Sequence, residues 1–264
     1  MRGASLERLC PLRRYCRRRQ QQVRAIGRGR QETSPLTLTP AEVEALLLSL
    51  KVSAVAVLGA LPFAILAAAA LAHRTFPGKA LVDGVLHMPL VLPPVVVGYL
   101  LLLIFGTRAP VGAWLFGHFG IRFVFSWTGA ALAAALLTFP FQVRAIRFAI
   151  ESIDPRLRDA AETLGAGWAD RTINLVLPLA LPGIVAGAIT AFAVSLGEFG
   201  AIITFVSNIP GETRTLPLAI YAALQTPDGE AEAFRLSALS ILLAIAGLAF
   251  AELANRRARA AVGP

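Results

Sequence analysis

Five long apolar runs dominate the pattern of the chain, and most polar residues lie in the segments between them. The runs fall at about 45–72, 84–105, 126–149, 179–206 and 235–254, and each approaches or exceeds the roughly 20 residues that a helix needs to cross a bilayer. Only 16% of the residues are charged, and the mean hydropathy is +0.66. A water-soluble domain could not bury so much apolar surface. The pattern therefore predicts an all-α integral membrane protein with about five transmembrane helices.

The basic charge of the chain belongs to one tail. The net charge is +9, but residues 1–35 carry ten Arg against Glu7 and Glu32, so the remainder is nearly neutral. We expect residues 1–37 to be a disordered or non-native extension and residues 38–264 to form the membrane domain. A nucleic-acid-binding tail would need aromatic residues among its arginines, and this tail does not have that pattern. Cys10 and Cys16 match no metal or redox spacing.

The second apolar run contains three prolines, Pro89, Pro93 and Pro94. Proline removes a helical hydrogen bond, so this run should bend or unwind. Broken backbone at membrane depth is tolerated where it is buried in protein or lines a wet cavity. The prolines are therefore candidates for a pathway wall or gate, with a kinked packing helix as the alternative.

The distribution of Lys and Arg between the runs gives an orientation. With five spans, the loops after the first and third runs and the C-terminus share one side, and they are the Arg-rich ones. That side should be cytoplasmic and the N-terminus outside. Ten Arg in the tail would then have to cross the membrane, so the side of the N-terminus stays open if the tail is present.

The segment between the third and fourth runs, at about 154–178, is too polar to enter the bilayer. Asp154 and Pro155 form a helix start, and Gly165 predicts the helix end. Apolar residues recur at helical spacing between these points, at Leu157, Ala160, Ala161 and Leu164. A second short helix should follow from about Trp168 to Leu177. The small apolar stripe could serve as a docking knob for another protein or pack against the ends of the chain's own spans.

The spacing of this segment resembles the EAA loop of ABC-importer permeases. The matching positions are Asp159, Ala160, Ala161, Gly165, Leu175, Leu177 and Pro178, with Asp in place of Glu and Leu in place of Ile as mild departures. Stretches such as "FSWTGAALAAALLTFPFQVRAIR" and "AFAVSLGEFGAIITFVSNIPGETRTLPLAIYAALQTPDGE" extend the likeness from about residue 38 to the C-terminus. Over that length the chain resembles the molybdate permease of the type I, MetI-like ABC-importer family. The sulfate permease is a close relative that shares a Gly-Glu-Phe-Gly element.

The resemblance implies a non-enzymatic subunit of the bacterial inner membrane that forms a homodimer. It implies a cytoplasmic ATPase that docks on the coupling loop, a periplasmic molybdate-binding protein, and alternating access as the mechanism. ATP and Mg would be used by the ATPase, and this chain would bind no cofactor. The residues implied in coupling are Asp159, Ala160, Ala161, Leu164 and Gly165. The anion could also be tungstate, sulfate or another oxyanion.

Three further residues stand out in the fourth run. Glu198 is ionisable within an apolar stretch, which costs at least about 2.5 kcal/mol at a helix centre. We interpret it as a structural or gating partner, hydrogen-bonded across a subunit interface, with simple access to water as the alternative. Gly183 and Gly187 form a small-xxx-small face for close helix packing.

A stand-alone secondary transporter or channel is the alternative from another class. It predicts an inverted internal repeat and coupling-ion residues, and the sequence has neither pattern. A Walker motif does not occur in the sequence, so ATP would have to be hydrolysed by a partner.

Overall fold

The computed structural model describes residues 38–73, 77–167 and 170–262, and every regular element in these ranges is a helix. The basic tail, Arg74 and Trp168 lie outside the described residues. The helices are α1 (Pro40–His73), α2 (Lys79–Val91), α3 (Pro94–Phe105), α4 (Pro110–Phe119), α5 (Trp127–Glu151), α6 (Pro155–Thr163), α7 (Leu177–Leu196), α8 (Gly200–Val206), α9 (Leu216–Leu224) and α10 (Glu230–Val262). A π-helical segment, Arg171–Val176, runs directly into α7.

Three helical stretches among the described residues are long and apolar enough to cross a membrane, or four if the bent pair α2 and α3 counts as one span. These are α1, α5 and the continuous stretch Arg171–Leu196. The expected span at 179–206 is wrong in its second half, because the helix ends at Leu196 and restarts at Gly200. The expected span at 235–254 lies within α10, and its crossing of the membrane stays a prediction.

Small residues let the three long helices approach closely. Ala60, Ala64 and Ala68 recur every four residues along α1 and are buried, as are Ala130 and Ala134 on α5. Between helices in a membrane, close backbone approach supplies van der Waals contact that the hydrophobic effect does not. The result is a core in which α5 lies between α1 and α7.

Charged side chains mark the two ends of α5. At its start, the Lys51 ammonium lies 3.7 Å from the centre of the Trp127 ring. Near its end, Arg147 is paired with Asp83 at 3.1 Å and with Glu151 at 2.8 Å. Twenty residues of α-helix from Trp127 to Arg147 rise about 30 Å, which is the thickness of the hydrocarbon core. These two levels therefore indicate the membrane boundaries.

The second apolar run is broken, as its prolines predict. The axes of α2 and α3 are bent by 113°. The backbone leaves the helix at Leu92 and re-enters it at Pro94, whose missing N–H is harmless in a first turn. Pro89 lies within α2 and does not end the helix, so Pro93 and Pro94 mark the break.

The bent pair leads from one end of α5 to the other. Asp83 in α2 contacts Arg147 near the C-terminal end of α5. Phe105, the last residue of α3, meets Phe123 with ring centres 5.5 Å apart, just before α5 begins. The pair therefore extends along the length of α5, even though its helices are not collinear.

Candidate functional site

The predicted short helix between α5 and α7 forms, and its two ends are capped as the sequence indicates. The Asp154 carboxylate accepts a hydrogen bond from the Arg156 N–H at 2.9 Å, and Pro155 is the first helical residue. At the other end Gly165 adopts φ +85°. The Gly165 N–H donates to the Glu162 carbonyl at 2.9 Å and the Ala166 N–H to the Ala161 carbonyl at 3.0 Å. This bonding pattern is a Schellman motif, which favours glycine at the left-handed position.

The apolar stripe of α6 is exposed on the described chain. Leu157 is 47% exposed and Leu164 is 87% exposed. Ala160 and Asp159 are exposed as well, and Ala161 is half-buried. The described helices of the same chain therefore do not cover this stripe, which favours the docking interpretation over packing against the chain's own span ends.

A cluster of buried apolar residues joins the two ends of the α6 segment to the long helices. Ile153, just before α6, and Val176, at the end of the π-helical segment, are buried in one cluster with Leu71 of α1. The Arg158 guanidinium donates to the Ile150 carbonyl at the end of α5, at 2.6 Å. The segments on either side of α6 are therefore packed against α1, α5 and α7.

The expected second short helix differs from the structure. Its predicted start at Trp168 lies outside the described residues, and from Arg171 the chain continues as helix through Leu177 and Pro178 into α7. The Leu177 N–H bonds to the Thr172 carbonyl, one residue wider than in an α-helix. Such local π adjustment re-satisfies backbone groups that a proline would leave free. The expected boundary at Pro178 is therefore absent.

The structure brings the two helix breaks together. A Cβ added at Gly200, the first residue of α8, would lie 3.0 Å from the Pro94 Cβ. A Cβ added at Gly98 would lie 2.6 Å from the Ala201 carbonyl oxygen and 2.9 Å from the Thr204 Cβ. The N-terminal turns of α3 and α8 are therefore in close contact. Sequence reasoning did not single out Gly98, although a lone glycine inside an apolar helix is a known signal for close backbone approach.

Glu198 lies in the second break and is half-buried. Its Oε1 accepts a hydrogen bond from the Ala201 N–H at 2.8 Å. A carboxylate at a helix N-terminus is favourable because it meets unpaired N–H groups and the positive end of the helix dipole. The described bond of Glu198 is thus within its own chain, whereas the sequence interpretation placed the bond across a subunit interface.

The first break leaves backbone on the surface of the single chain. Val91 is 86% exposed, and Pro93 and Pro94 are exposed beside it. Pro89 is half-buried and lines an apolar cavity between α1, α2 and α5. Backbone that has left the helix cannot face lipid at membrane depth, so the break requires water or another protein surface.

Gly183 and Gly187 face α5 of the same chain. A Cβ at Gly183 would lie 2.2 Å from the Ala149 Cβ, and a Cβ at Gly187 would lie 3.0 Å from the Ala145 Cβ. These contacts place both glycines in helix packing inside one subunit. The partner helix could not be read from the sequence.

Comparison with known proteins agrees with this architecture. Residues 60–260 match the family model described as binding-protein-dependent transport system inner membrane component. The chain is 58% identical over 228 residues to the molybdenum transport system permease protein ModB of Escherichia coli K12, covering 86% of this chain and 100% of that protein. It is 38% identical over 184 residues to the sulfate transport system permease protein CysT of the same organism, covering 69% and 66%.

A solved structure gives the same fold. A bacterial alginate ABC transporter, determined in complex with an alginate pentasaccharide-bound periplasmic protein, matches with a TM-score of 0.65 and 22% identity, covering 84% of this chain and 79% of that chain. The relatives are named as permeases, so this subunit transports rather than catalyses. The chain belongs to the family of inner membrane components of binding-protein-dependent transport systems.

Proposed function

We propose that this chain is the membrane-spanning permease subunit of an ATP-driven importer for molybdate. The observation that carries the proposal is the 58% identity to the E. coli molybdenum permease over that protein's full length. Two copies of the chain form the translocation pathway and alternate between inward-open and outward-open states. Tungstate, an oxyanion of the same shape and charge, is a second cargo.

The energy enters through α6. A separate cytoplasmic ATPase binds the stripe formed by Leu157, Ala160, Ala161 and Leu164, with Asp159 beside it. The small alanines let the partner's backbone come close. The buried apolar cluster at Ile153 transmits the movement of α6 to the long helices. ATP binding shifts the subunit because the closed ATPase prefers one conformation of the membrane domain. ATP and Mg are used by that partner, and this chain holds no cofactor.

The two contacting breaks form the pathway wall or gate. The exposed backbone at Pro93 and Pro94 is covered by the second subunit or by the water of the pathway. Glu198 fixes the start of α8 and occupies its N-terminal N–H groups, so the carboxylate positions the break rather than binding the anion. A periplasmic binding protein then supplies most of the selectivity for molybdate.

The subunit lies in the bacterial inner membrane with α6 and the C-terminus in the cytoplasm. The Arg-rich segments support this orientation, because Arg144, Arg147, Arg156, Arg158 and Arg171 cluster at the α6 end of the long helices. The proposed membrane domain comprises residues 38–264.

The substrate is tested by uptake. Vesicles that contain the chain, its ATPase and the oxyanion-binding protein should accumulate labelled molybdate only when ATP is supplied. A tenfold excess of tungstate should compete, and sulfate should not. Uptake of sulfate at a comparable rate would favour the alternative suggested by the 38% identity to the sulfate permease.

The coupling role is tested by Gly165→Asp, with Gly167→Asp as a matched control. A Cβ has open space at both positions, but only Gly165 has a left-handed φ. The left-handed conformation costs an ordinary residue about 1–2 kcal/mol, and the added charge lies beside the stripe. We expect Gly165→Asp to insert in the membrane but not to co-purify with the ATPase. Normal co-purification and uptake of this variant would contradict the coupling assignment.

A further inference from the structure

The loop that joins α3 to α5 has an unusual composition for an exposed connection. Residues 106–125, which we call the α4 loop, contain Arg108, Arg122 and His118 but neither Asp nor Glu. The helix inside this loop, α4, reads "PVGAWLFGHF" and is apolar on all sides apart from His118. A connection immersed in water would not carry so many aromatic and aliphatic side chains.

Almost all residues of α4 are exposed on the described chain. Within this helix, which the structure describes in full, only Gly112 is buried. A Cβ at Gly112 would lie 2.2 Å from the Gly106 carbonyl oxygen, so the glycine holds α4 against the end of α3. Trp114 is 53% exposed and Phe119 is 63% exposed. The described chain therefore leaves these rings uncovered.

The position of the α4 loop in the chain indicates its depth relative to the membrane. It connects the end of α3 to the start of α5, where Lys51 and Trp127 mark one membrane boundary. The coupling helix α6 follows the other end of α5. Since α5 is long enough to cross the bilayer, α4 lies at the interface of the leaflet remote from α6. Trp and aromatic residues are enriched at such interfaces.

Cations at this level lie against aromatic rings. The Arg122 guanidinium is 4.1 Å from the centre of the Phe116 ring, and the Lys51 ammonium stacks on Trp127 in the same way. This arrangement suits a bilayer surface, because the ring enters the hydrocarbon while the cation stays at the depth of the phosphates. A segment with cations and no carboxylate complements an anionic surface.

We propose that the α4 loop is an interfacial anchor that binds anionic phospholipid headgroups. The rings of Trp114, Phe116 and Phe119 lie in the acyl boundary, and Arg108 and Arg122 contact lipid phosphate. Lipid is favoured over a docking protein because the apolar surface extends around the whole helix and because Leu103 and Ile104, at the adjoining end of α3, are exposed as well. The anchor fixes the outer end of the bent pair α2 and α3 against the bilayer.

Fluorescence of Trp114 tests the anchor. The chain has three Trp, so Trp127→Phe with Trp168→Phe leaves Trp114 as the sole reporter and keeps a ring beneath Lys51. The full chain is placed in vesicles of phosphatidylcholine and phosphatidylglycerol, with brominated acyl chains on one lipid at a time. Both lipids should quench Trp114, and brominated phosphatidylglycerol should quench more strongly, with a local enrichment of up to about fivefold for each arginine.

Charge variants separate lipid contact from lipid selection. Arg108→Gln with Arg122→Gln should abolish the preference for phosphatidylglycerol and leave quenching by either lipid. Arg214→Gln is the control, because Arg214 is engaged with the Asn208 side chain at 3.0 Å outside the α4 loop; it should keep the preference. If the single-Trp chain does not fold, the difference between the native chain and Trp114→Phe gives the same quantity.

Three results would overturn the proposal. No quenching of Trp114 by either lipid would place α4 in water or against protein. Equal quenching by both lipids in the unmodified α4 loop would remove the anionic headgroup as its ligand. Loss of quenching when the periplasmic binding protein is added would make that protein the occupant.

Discussion

Replacing Gly98 by Ala should force the two helix breaks apart. The added Cβ would lie 2.6 Å from the Ala201 carbonyl oxygen and 2.9 Å from its Cα. Ordinary contact begins at 3.4 Å, so the backbones of α3 and α8 must separate by about 0.8 Å. Both contacts are to backbone atoms, which cannot rotate away.

The expected cost follows from this overlap. Overpacking of a filled contact costs typically about 1–3 kcal/mol. For a domain of this size that corresponds to a fall in Tm of about 2–4 °C for each kcal/mol. If the cost falls on only one of the two transport states, it shifts their ratio by roughly 5- to 150-fold. Transport should therefore fall more than protein abundance.

Gly84→Ala is the control, because it makes the same chemical change in α2 and the added Cβ meets nothing within 4 Å. The assay compares Tm in detergent and ATP-driven molybdate uptake in vesicles for both variants. Gly98→Ala should lower both quantities, and Gly84→Ala should lower neither. Identical Tm and uptake in the two variants would refute the close contact between the breaks.

Two further substitutions test helix packing and the outer ends of α1 and α10. Gly183→Val should lower Tm by an amount equivalent to about 1–3 kcal/mol, because a Cβ there lies 2.2 Å from the Ala149 Cβ. Gly247→Val is the control and should leave Tm unchanged, because a Cβ there has open space. Equal falls in Tm for the two variants would contradict the close packing of α7 against α5. Arg235→Ala should cost about 1.5–3 kcal/mol, since its guanidinium is 3.0 Å from the carboxylate of Glu42, which is buried. Glu42→Gln combined with Arg235→Gln should recover most of that loss in Tm, because both charges are removed together. An unchanged Tm in Arg235→Ala would refute the stabilising role of the Arg235–Glu42 ion pair.

Local sequence signals were sufficient to predict α6 and the first helix break. Asp154, Pro155 and Gly165 each act through backbone chemistry within a few residues, so their effects are visible in the sequence. Pro93 and Pro94 are adjacent and lack two successive N–H groups, which favours a break at that point, whereas the single Pro89 is tolerated inside α2. The fold class and the family followed from the apolar runs and the EAA spacing, and the comparisons confirm both.

The second break could not be predicted in the same way. Glu198 is the one charged residue from 179 to 206, and most of the others are apolar, so a hydropathy average treats the segment as one span. Helix α7 ends at Leu196, and the Glu198 carboxylate in the break accepts a hydrogen bond from the Ala201 N–H of the next helix. This hydrogen bond exists only where a new helix begins at Gly200, and the sequence does not show that start. The sequence therefore suggested a partner for Glu198 in another subunit.

Contacts between residues that are far apart in the chain could not be predicted from the sequence either. The pattern at Gly183 and Gly187 predicted close packing, but the neighbouring helix depends on how three long helices are arranged. The pairing of Asp83 with Arg147 joins residues 64 positions apart, and neither residue has a local signal that identifies the other. The role of the π-helical segment around Leu177 was missed because Pro178 usually signals a boundary.

A crosslink from α6 tests the central claim most directly. Ala160→Cys is introduced into a chain whose Cys10 and Cys16 are replaced by Ser, and membranes that contain the whole transporter are treated with a short bifunctional thiol reagent. We expect a covalent product between this subunit and the ATPase, formed in lower yield when Gly165→Asp is also present. Crosslinks confined to the subunit's own helices, with the ATPase present and bound, would contradict it.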